Sequence, residues 1–295
     1  MAGLPFDSHD YHVDLRPKVV GVRSSPAADL DLLARLTADP VRANPVSILQ
    51  LGLGALQLRD PDRLPLLAKI VSWVEQRVDE HGRLAYRFPM PHTYPLDPPW
   101  HSALAQGEAV SFLLRGACVL DRSDLFELAE RTAGPLLDAD SPLVVVTPDG
   151  PVLQEYPTDP PAHVLNGWLF SLWGLYDLAH AGRPMTGIVR AAADGFAAGA
   201  AALAARIDRY RTAVGWSLYD LYPHPLPNVA SPFYHRLHVE QLRRQQELLP
   251  DPRIAAVAAE WGRASHAAVP CAVAFARKGA FRIRRPRWRR VSPTH

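Results

Sequence analysis

The stretch Val164-Leu165-Asn166-Gly167-Trp168-Leu169-Phe170-Ser171-Leu172-Trp173-Gly174-Leu175-Tyr176-Asp177-Leu178-Ala179-His180-Ala181 is the most apolar segment of the chain and reads as a buried helix. Gly167 and Gly174 lie seven apart, so they share one face and predict the close approach of a neighbouring helix. Outward from it, helical periodicity recurs at 29–36, 45–58, 64–78, 102–120, 124–137, 187–207, 233–249 and 254–268. Asn44 is placed to cap the second of these, with Pro45 at its first helical position. One hairpin interrupts the series. Residues 143–147 are mostly β-branched, Pro148-Asp149-Gly150 forms the turn, and 152–155 returns. Helix after helix joined by irregular loops predicts an all-α domain with a small β-hairpin insertion.

The composition supports a folded chain. With 295 residues, 48% of them hydrophobic, it can bury a core of one large domain or two small ones. Only 21% are charged, which argues against global disorder. The 29 prolines cluster at 89–99, 142–161 and 223–232 and separate the helices with ordered loops. No apolar run is expected to reach the roughly 18–20 residues of a membrane span. Residues 1–18 hold Asp7, Asp10 and Asp14 and no apolar block, so a secretory signal is not expected, and a cytoplasmic location is. Cys118 and Cys271 form no disulfide framework and have no metal-ligand spacing, which fits a reducing compartment.

The net charge is +2, yet Lys278 to Arg290 carries seven Lys or Arg and no acid, with Trp288 among them. Such a run suits an acidic polysaccharide or an anionic membrane surface, and equally a solvated terminus. It has no accompanying nucleic-acid recognition motif, so nucleic acid is not an expected partner. A Gly-rich phosphate loop and a G-x-S-x-G elbow are both missing, and Gly52-x-Gly54 falls inside a helix pattern. Phosphoryl transfer, hydride transfer and serine hydrolysis therefore lack sequence support.

Three segments echo one another: Ser47-x-x-Gln50-x-Gly52, Ser102-x-x-x-Gln106-Gly107 and Asn166-Gly167. Each opens a helix with small polar residues. In a toroid of helical hairpins such starts line one mouth of an inner ring, although ordinary N-caps account for the echo by itself. Further along, Glu155-Tyr156 sets a carboxylate beside a phenol, either an acid/base pair or a solvent-facing turn. Tyr234-His235-Arg236-Leu237-His238 opens a helix with Tyr234 and His238 on one face. That start can bind an anionic sugar, or hold a core tyrosine and two surface histidines. The histidine pair lacks an acidic ligand at matching spacing, so no metal is expected.

Taken in order, these segments resemble the C-terminal domain of the D-glucuronyl C5-epimerases, which convert glucuronic to iduronic acid in heparin-like chains. The residues carrying the resemblance are Trp100-x-Ser102-Ala103-Leu104-Ala105-Gln106-Gly107, Glu155-Tyr156-Pro157-Thr158 and Val164-Leu165-Asn166-Gly167 continuing to Gly174-Leu175-Tyr176-Asp177-Leu178. Tyr219-Asp220-Leu221, Pro227-Asn228, Tyr234-His235-x-x-His238 and Gln241-Leu242 complete it, and Asn44-Pro45 to Ala55 resembles the upstream start. The resemblance implies an (α/α) toroid over residues 44–270, an N-terminal segment over 1–43 and a basic tail over 271–295. Animal members carry additional β-rich N-terminal domains, which the residues before Asn44 are too few to hold.

The implied chemistry removes the proton at C5 of a uronate and returns one to the opposite face, with no cofactor. On the family pattern Glu155 and Tyr234 match proton-transfer positions, and Tyr156 and Tyr219 match tyrosines of the same site. Trp100, Gln106, Asn166, Asn228, Arg236 and His238 are the implied substrate contacts. Where animal enzymes read Tyr-Asp-Leu-Arg, this chain has Tyr222 in place of the Arg that pairs with the uronate carboxylate. Arg236, Arg87 and Lys18 are candidate replacements. A polysaccharide lyase or a non-catalytic glycan-binding domain fits the same residues. The expected partner is a uronic-acid polysaccharide, and a homodimer is left open.

Overall fold

The computed structural model describes residues 6–19, 25–89, 93–94 and 96–285. Among them are the helices α1 (Pro26–Thr37), α2 (Pro45–Gln57), α3 (Leu64–Glu75), α4 (Ala103–Val119), α5 (Asp124–Leu137) and α6 (Leu165–His180). They continue with α7 (Gly187–Arg206), α8 (Pro232–Leu248), α9 (Pro252–Ala264) and α10 (Ala268–Arg284). Two antiparallel ribbons join them: β1 (Ala85–Tyr86) pairs with β2 (Trp100–His101), and β3 (Val144–Thr147) with β4 (Gly150–Leu153). The chain is thus mostly helical, with the hairpin where the β-branched run predicts it.

Local chemistry sets the helix starts. Asn44 Oδ1 accepts from the Val46 amide at 3.1 Å, and Pro45 occupies a position whose missing N–H costs nothing. Ser102, Thr186, Ser231 and Asp251 cap α4, α7, α8 and α9 in the same way. The helices then pack in two sets. In one, α2 lies against α4, α4 against α6 and α6 against α8; in the other, α5 lies against α7 and α7 against α9.

The α4–α6 contact is the most intimate, and glycine makes it so. A Cβ on Gly174 would lie 2.5 Å from the Gly107 Cα, and one on Gly107 would lie 2.6 Å from the Phe170 carbonyl oxygen. Gly167 does not share that task, contrary to the sequence expectation. It faces the loop after β4, as described below.

The boundaries at residues 43 and 271 do not coincide with breaks in packing. Tyr11, Val13, Leu15 and Val19 are buried in the same core as α2, α4 and α6. His12 is tied to Asp177 of α6 at 3.0 Å, and Arg115 of α4 closes on the same carboxylate at 2.6 Å. At the other end, the helix expected over 254–268 stops at Ala264 and α10 begins at Ala268. Ala274, Lys278 and Phe281 follow helical spacing on α10, and Ala274 and Phe281 are each 1% exposed. That apolar stripe is why the segment is a docked helix as far as Arg284 rather than a solvated tail. Residues 286–290 of the basic run, with Trp288, lie outside the described residues.

One stretch, Gly187–Tyr210, is long and apolar enough by length and composition to cross a membrane, although no such run was expected from the sequence. Val189, Ala192, Phe196, Ala202 and Leu203 form its buried stripe, and the helix packs against α6 and β4. Its hydropathy comes largely from alanine.

Candidate active site

Glu155 is the second residue past β4, and Gln154 between them is pinned from several directions. The Gln154 amide donates to the Leu143 carbonyl at 2.8 Å, and its own carbonyl accepts from the Ala103 amide at 3.0 Å. Its side chain pairs with the backbone and ring of His163 at 3.2 and 2.9 Å. The chain therefore leaves the hairpin with little freedom, and Glu155 points at the first turn of α6. There Asn166 Nδ2 donates to Glu155 Oε2 at 3.3 Å. A Cβ on Gly167 would lie 2.4 Å from the Glu155 Cβ, so only glycine leaves room for the carboxylate. The Asn166-Gly167 pair is thus a seat for Glu155.

Three half-buried phenols stand around that carboxylate. Tyr156 hydrogen-bonds it and stacks on Tyr94, with ring centroids 4.7 Å apart. Tyr219 and Tyr234 meet edge to face at 4.8 Å, and Tyr219 feels the charge of Glu155. Ser231 caps α8 by accepting from the Tyr234 amide at 3.4 Å, which fixes the helix start bearing that ring.

Beneath the phenols, Asp220 is 2% exposed and accepts from the Tyr94 hydroxyl, the Asn228 amide nitrogen and, at 3.2 Å, the Tyr222 amide. Asn228 spans two charges. Its nitrogen donates to Asp220, and its oxygen accepts from Lys278 Nζ at 2.6 Å. Lys278 also lies 5.7 Å from the Tyr219 ring centroid.

The proton affinities follow from burial. Glu155 is pushed up to about 7 by desolvation, despite the opposing hydrogen bonds from Tyr156 and Asn166. Tyr156 and Tyr219 are raised well above the usual phenol value, by desolvation first and the Glu155 charge second. A second carboxyl, Glu108 of α4, is 0% exposed and pushed up to about 8, again by desolvation. Gln50 of α2 donates to Glu108 Oε1 at 2.8 Å, the Glu155 charge adds to the upward push on Glu108, and both carboxyls raise the proton affinity of Tyr86, which burial has already raised. The site thus holds a carboxyl poised near neutrality beside two phenols, Tyr156 and Tyr219, that stay protonated. This arrangement can take a proton on one side and donate one from another.

Several residues chosen from sequence serve other ends. Gln106 is wholly buried: its oxygen accepts from the Leu84 amide at 2.7 Å, and its nitrogen donates to the Gly82 and Thr132 carbonyls, each at 2.8 Å. It closes backbone groups and meets no cleft. His238 is also wholly buried, bonded through Nδ1 to Ser217 Oγ at 2.9 Å, and His235 shares that hydroxyl at 2.9 Å, so neither is a surface histidine. Desolvation keeps both imidazoles neutral. Trp100 is 4% exposed, stacks on Tyr86 at 3.9 Å and lies 5.9 Å from Tyr156, so it backs the tyrosine wall. Asn166 and Asn228 hold Glu155, Asp220 and Lys278 rather than facing solvent. Arg236, Arg87 and Lys18 are exposed; Lys18 lies within electrostatic reach of Glu108. Sequence reasoning missed Tyr94 and Glu108, and gave Asp220, Gln154 and Lys278, named within motifs or the basic run, no part in the site. The Ala274–Lys278–Phe281 stripe was the one available signal for Lys278. Among the described residues no cluster of His, Cys, Asp or Glu is arranged to hold a metal ion.

A solved structure of a possible member of the GH105 family from Salmonella enterica serovar Paratyphi A matches with a TM-score of 0.48 and 15% identity, covering 89% of this chain and 72% of that one. The D-glucuronyl C5-epimerase of Caenorhabditis elegans is 32% identical over 185 residues, covering 56% of this chain. The chain spans 29% of that relative's length. The family model described as the D-glucuronyl C5-epimerase C-terminus matches residues 78–263, from the turn before β1 to the end of α9. That stretch carries Glu155, its seat on α6, the three phenols and the Asp220–Asn228 floor, and on this match the chain belongs to the D-glucuronyl C5-epimerase C-terminus family.

Proposed function

We propose that this protein is an isomerase that inverts C5 of D-glucuronate residues in a heparosan- or heparin-like polysaccharide. The observation that carries the reading is the buried Glu155, pushed up to about 7 and held among Tyr156, Tyr219 and Tyr234. The fold that goes with it is an (α/α) toroid in which α2, α4, α6 and α8 are the inner helices. The starts of α6 and α8, with Asn166 and Tyr234, then share one mouth.

In this reading the C5–H bond breaks and the proton passes to the Glu155 carboxylate. The electron pair delocalises into the substrate carboxylate. Tyr234, from the Tyr219 side, gives its hydroxyl proton to C5 on the opposite face. The raised proton affinities of Tyr156 and Tyr219 disfavour a resting phenolate, so Glu155 is the base of the resting enzyme and the phenols are donors. Tyr156, bonded to Glu155 and within electrostatic reach of Tyr234, is positioned to pass the abstracted proton from Glu155 on to the Tyr234 phenolate, which returns both groups to their resting states.

The test is incubation with unsulfated and N-sulfated glucuronate polymers in heavy water. Deuterium at C5 without chain cleavage is the expected result. Ultraviolet absorbance from a new double bond would replace the reading with β-elimination by a lyase. Binding with neither deuterium nor unsaturation across a panel of uronate polymers would replace it with a glycan-binding domain.

A further inference from the structure

The helix α10 lies beyond residues 78–263 of the family match, yet it supplies a charge to the site. Its buried stripe, Ala274 and Phe281, turns Lys278 inward between them. Its contacts with Asn228, Tyr219 and Phe281 help fix where the ammonium sits. Nζ donates to Asn228 Oδ1 at 2.6 Å, lies 5.7 Å from the Tyr219 ring centroid and lies 5.3 Å from the Phe281 ring centroid. The same charge helps hold buried His238 neutral. Asn228 is oriented by Asp220 on its other side, so its oxygen faces Lys278 and cannot flip without losing both bonds.

We infer that Lys278 is the group that binds the substrate's carboxylate. The inference rests on the uronate reading above. Loss of the C5 proton moves negative charge onto that carboxylate, and a preorganised cation beside it stabilises the intermediate more than the ground state. Lys278 stands beside Tyr219, the ring that feels the Glu155 charge, so a sugar held between Glu155 and Tyr234 can present its acid group to the ammonium. Arg236 and Arg87 are exposed, and Lys18 is associated with Glu108 instead. The ammonium also makes the cleft selective for acidic over neutral sugars.

The experiment compares the parent with Lys278→Gln and Lys278→Arg. Gln keeps a donor for Asn228 without the charge, and Arg keeps the charge. The probes are a glucuronate-containing oligosaccharide and the same oligosaccharide with its carboxyls reduced to hydroxymethyl groups. The parent is expected to bind the acid form about tenfold or more tightly over the reduced form. Lys278→Gln should lose that preference and about 10²–10³-fold of C5 exchange, whereas Lys278→Arg keeps the preference. On the parent alone, the acid probe should protect Lys278 from amine acetylation, read by mass spectrometry, and the reduced probe should not. A folded Lys278→Gln with the parent's preference, a parent without preference, or acetylation indifferent to the acid probe would each overturn the inference. Preferential acid binding with no C5 exchange sinks the epimerase reading and leaves Lys278 standing. Exchange that survives in Lys278→Gln with preference intact does the reverse.

Discussion

Replacing Gly167 with alanine tests whether the first turn of α6 is a seat for the Glu155 carboxylate. The added Cβ would lie 2.4 Å from the Glu155 Cβ and 2.5 Å from its Oε2. Ordinary carbon–carbon contact is about 3.5–4.0 Å, so the shortfall is roughly 1 Å or more. A flexible tip alone cannot absorb it, because Cβ moves only with the backbone. That backbone is held by Gln154 through Leu143, Ala103 and His163. The expected result is a carboxylate displaced by about 1 Å, and a misplacement of that size costs on the order of 10²-fold in rate.

The stability cost should be smaller than the catalytic one. Overpacking costs about 1–3 kcal/mol, and replacing glycine in a helix returns up to about 1 kcal/mol. C5 deuterium exchange and thermal unfolding, run side by side, separate the two effects. Two glycines calibrate the assay. Gly187→Ala adds a methyl with nothing within 4 Å and should match the parent in exchange while gaining up to about 1 kcal/mol of stability. Gly174→Ala drives its Cβ to 2.5 Å from the Gly107 backbone and should lose more stability, by prying α4 from α6. If Gly167→Ala exchanges at the parent rate while folded, Glu155 is not held where catalysis requires it, and the seat argument fails.

Tyr234→Phe removes one oxygen with little change of volume and should reduce C5 exchange by about 10²–10⁴-fold, while Tyr176→Phe, on a ring stacked with His180 at 3.9 Å away from the cleft, leaves exchange near parent. With Glu155 near 7, kcat/KM should rise with pH through about 7, because only the ionised carboxyl accepts the C5 proton; Glu155→Gln should remove the exchange, and a profile flat from pH 5 to 9 would contradict the assignment. Glu108, pushed up to about 8, favours the folded state most while protonated. Its contribution is full below the unfolded value near 4.5 and is lost as pH rises through about 8, so Glu108→Gln should gain stability relative to the parent over that window, by on the order of 5 kcal/mol. A difference in unfolding midpoint independent of pH would show that Glu108 is not buried as an acid.

The helices were legible because their signals are local. Asn44-Pro45 announces a cap and a first turn within two residues, and the β-branched run at 143–147 announces its own strand. Glu155-Tyr156 and the Tyr234 helix start stood out locally, each with a bland alternative beside it, and Tyr219 entered only through the order of motifs, since spacing says nothing of which loops converge. Gln106 shows the limit. A polar side chain at a helix start has the same sequence appearance whether it meets a sugar or closes three backbone groups, here on Gly82, Leu84 and Thr132. The half-right reading of Gly167 and Gly174 has a similar cause. Seven residues keep both on one face of α6, but that face meets α4 at one end and the β4 loop at the other. Lys278 was hidden by its neighbours, because a run of seven basic residues resembles a solvated terminus until the stripe at 274 and 281 is noticed.

The N-terminal segment docks on α4 and α6, whereas α10 docks beside Tyr219 and Asn228, and their chemistry differs accordingly. His12 accepts from Arg244 Nε at 3.2 Å through Nδ1, which leaves Nε2 to donate to Asp177 at 3.0 Å. Desolvation depresses the imidazole, so it sits in this pair neutral, while Arg115 carries the charge that holds Asp177 below the usual carboxylate range. Breaking a buried ion pair of this kind typically costs about 3–5 kcal/mol. That network ties the N-terminal segment to α4 and α6, the helices that bear Glu108 and the Asn166-Gly167 seat. It works by packing and fixed charge at a distance from the phenols. Lys278 instead touches the site through one amide and one ring. Loss of the N-terminal anchor should therefore lower stability and exchange together, as the seat loosens with the fold. Loss of the Lys278 charge should lower exchange while unfolding changes little.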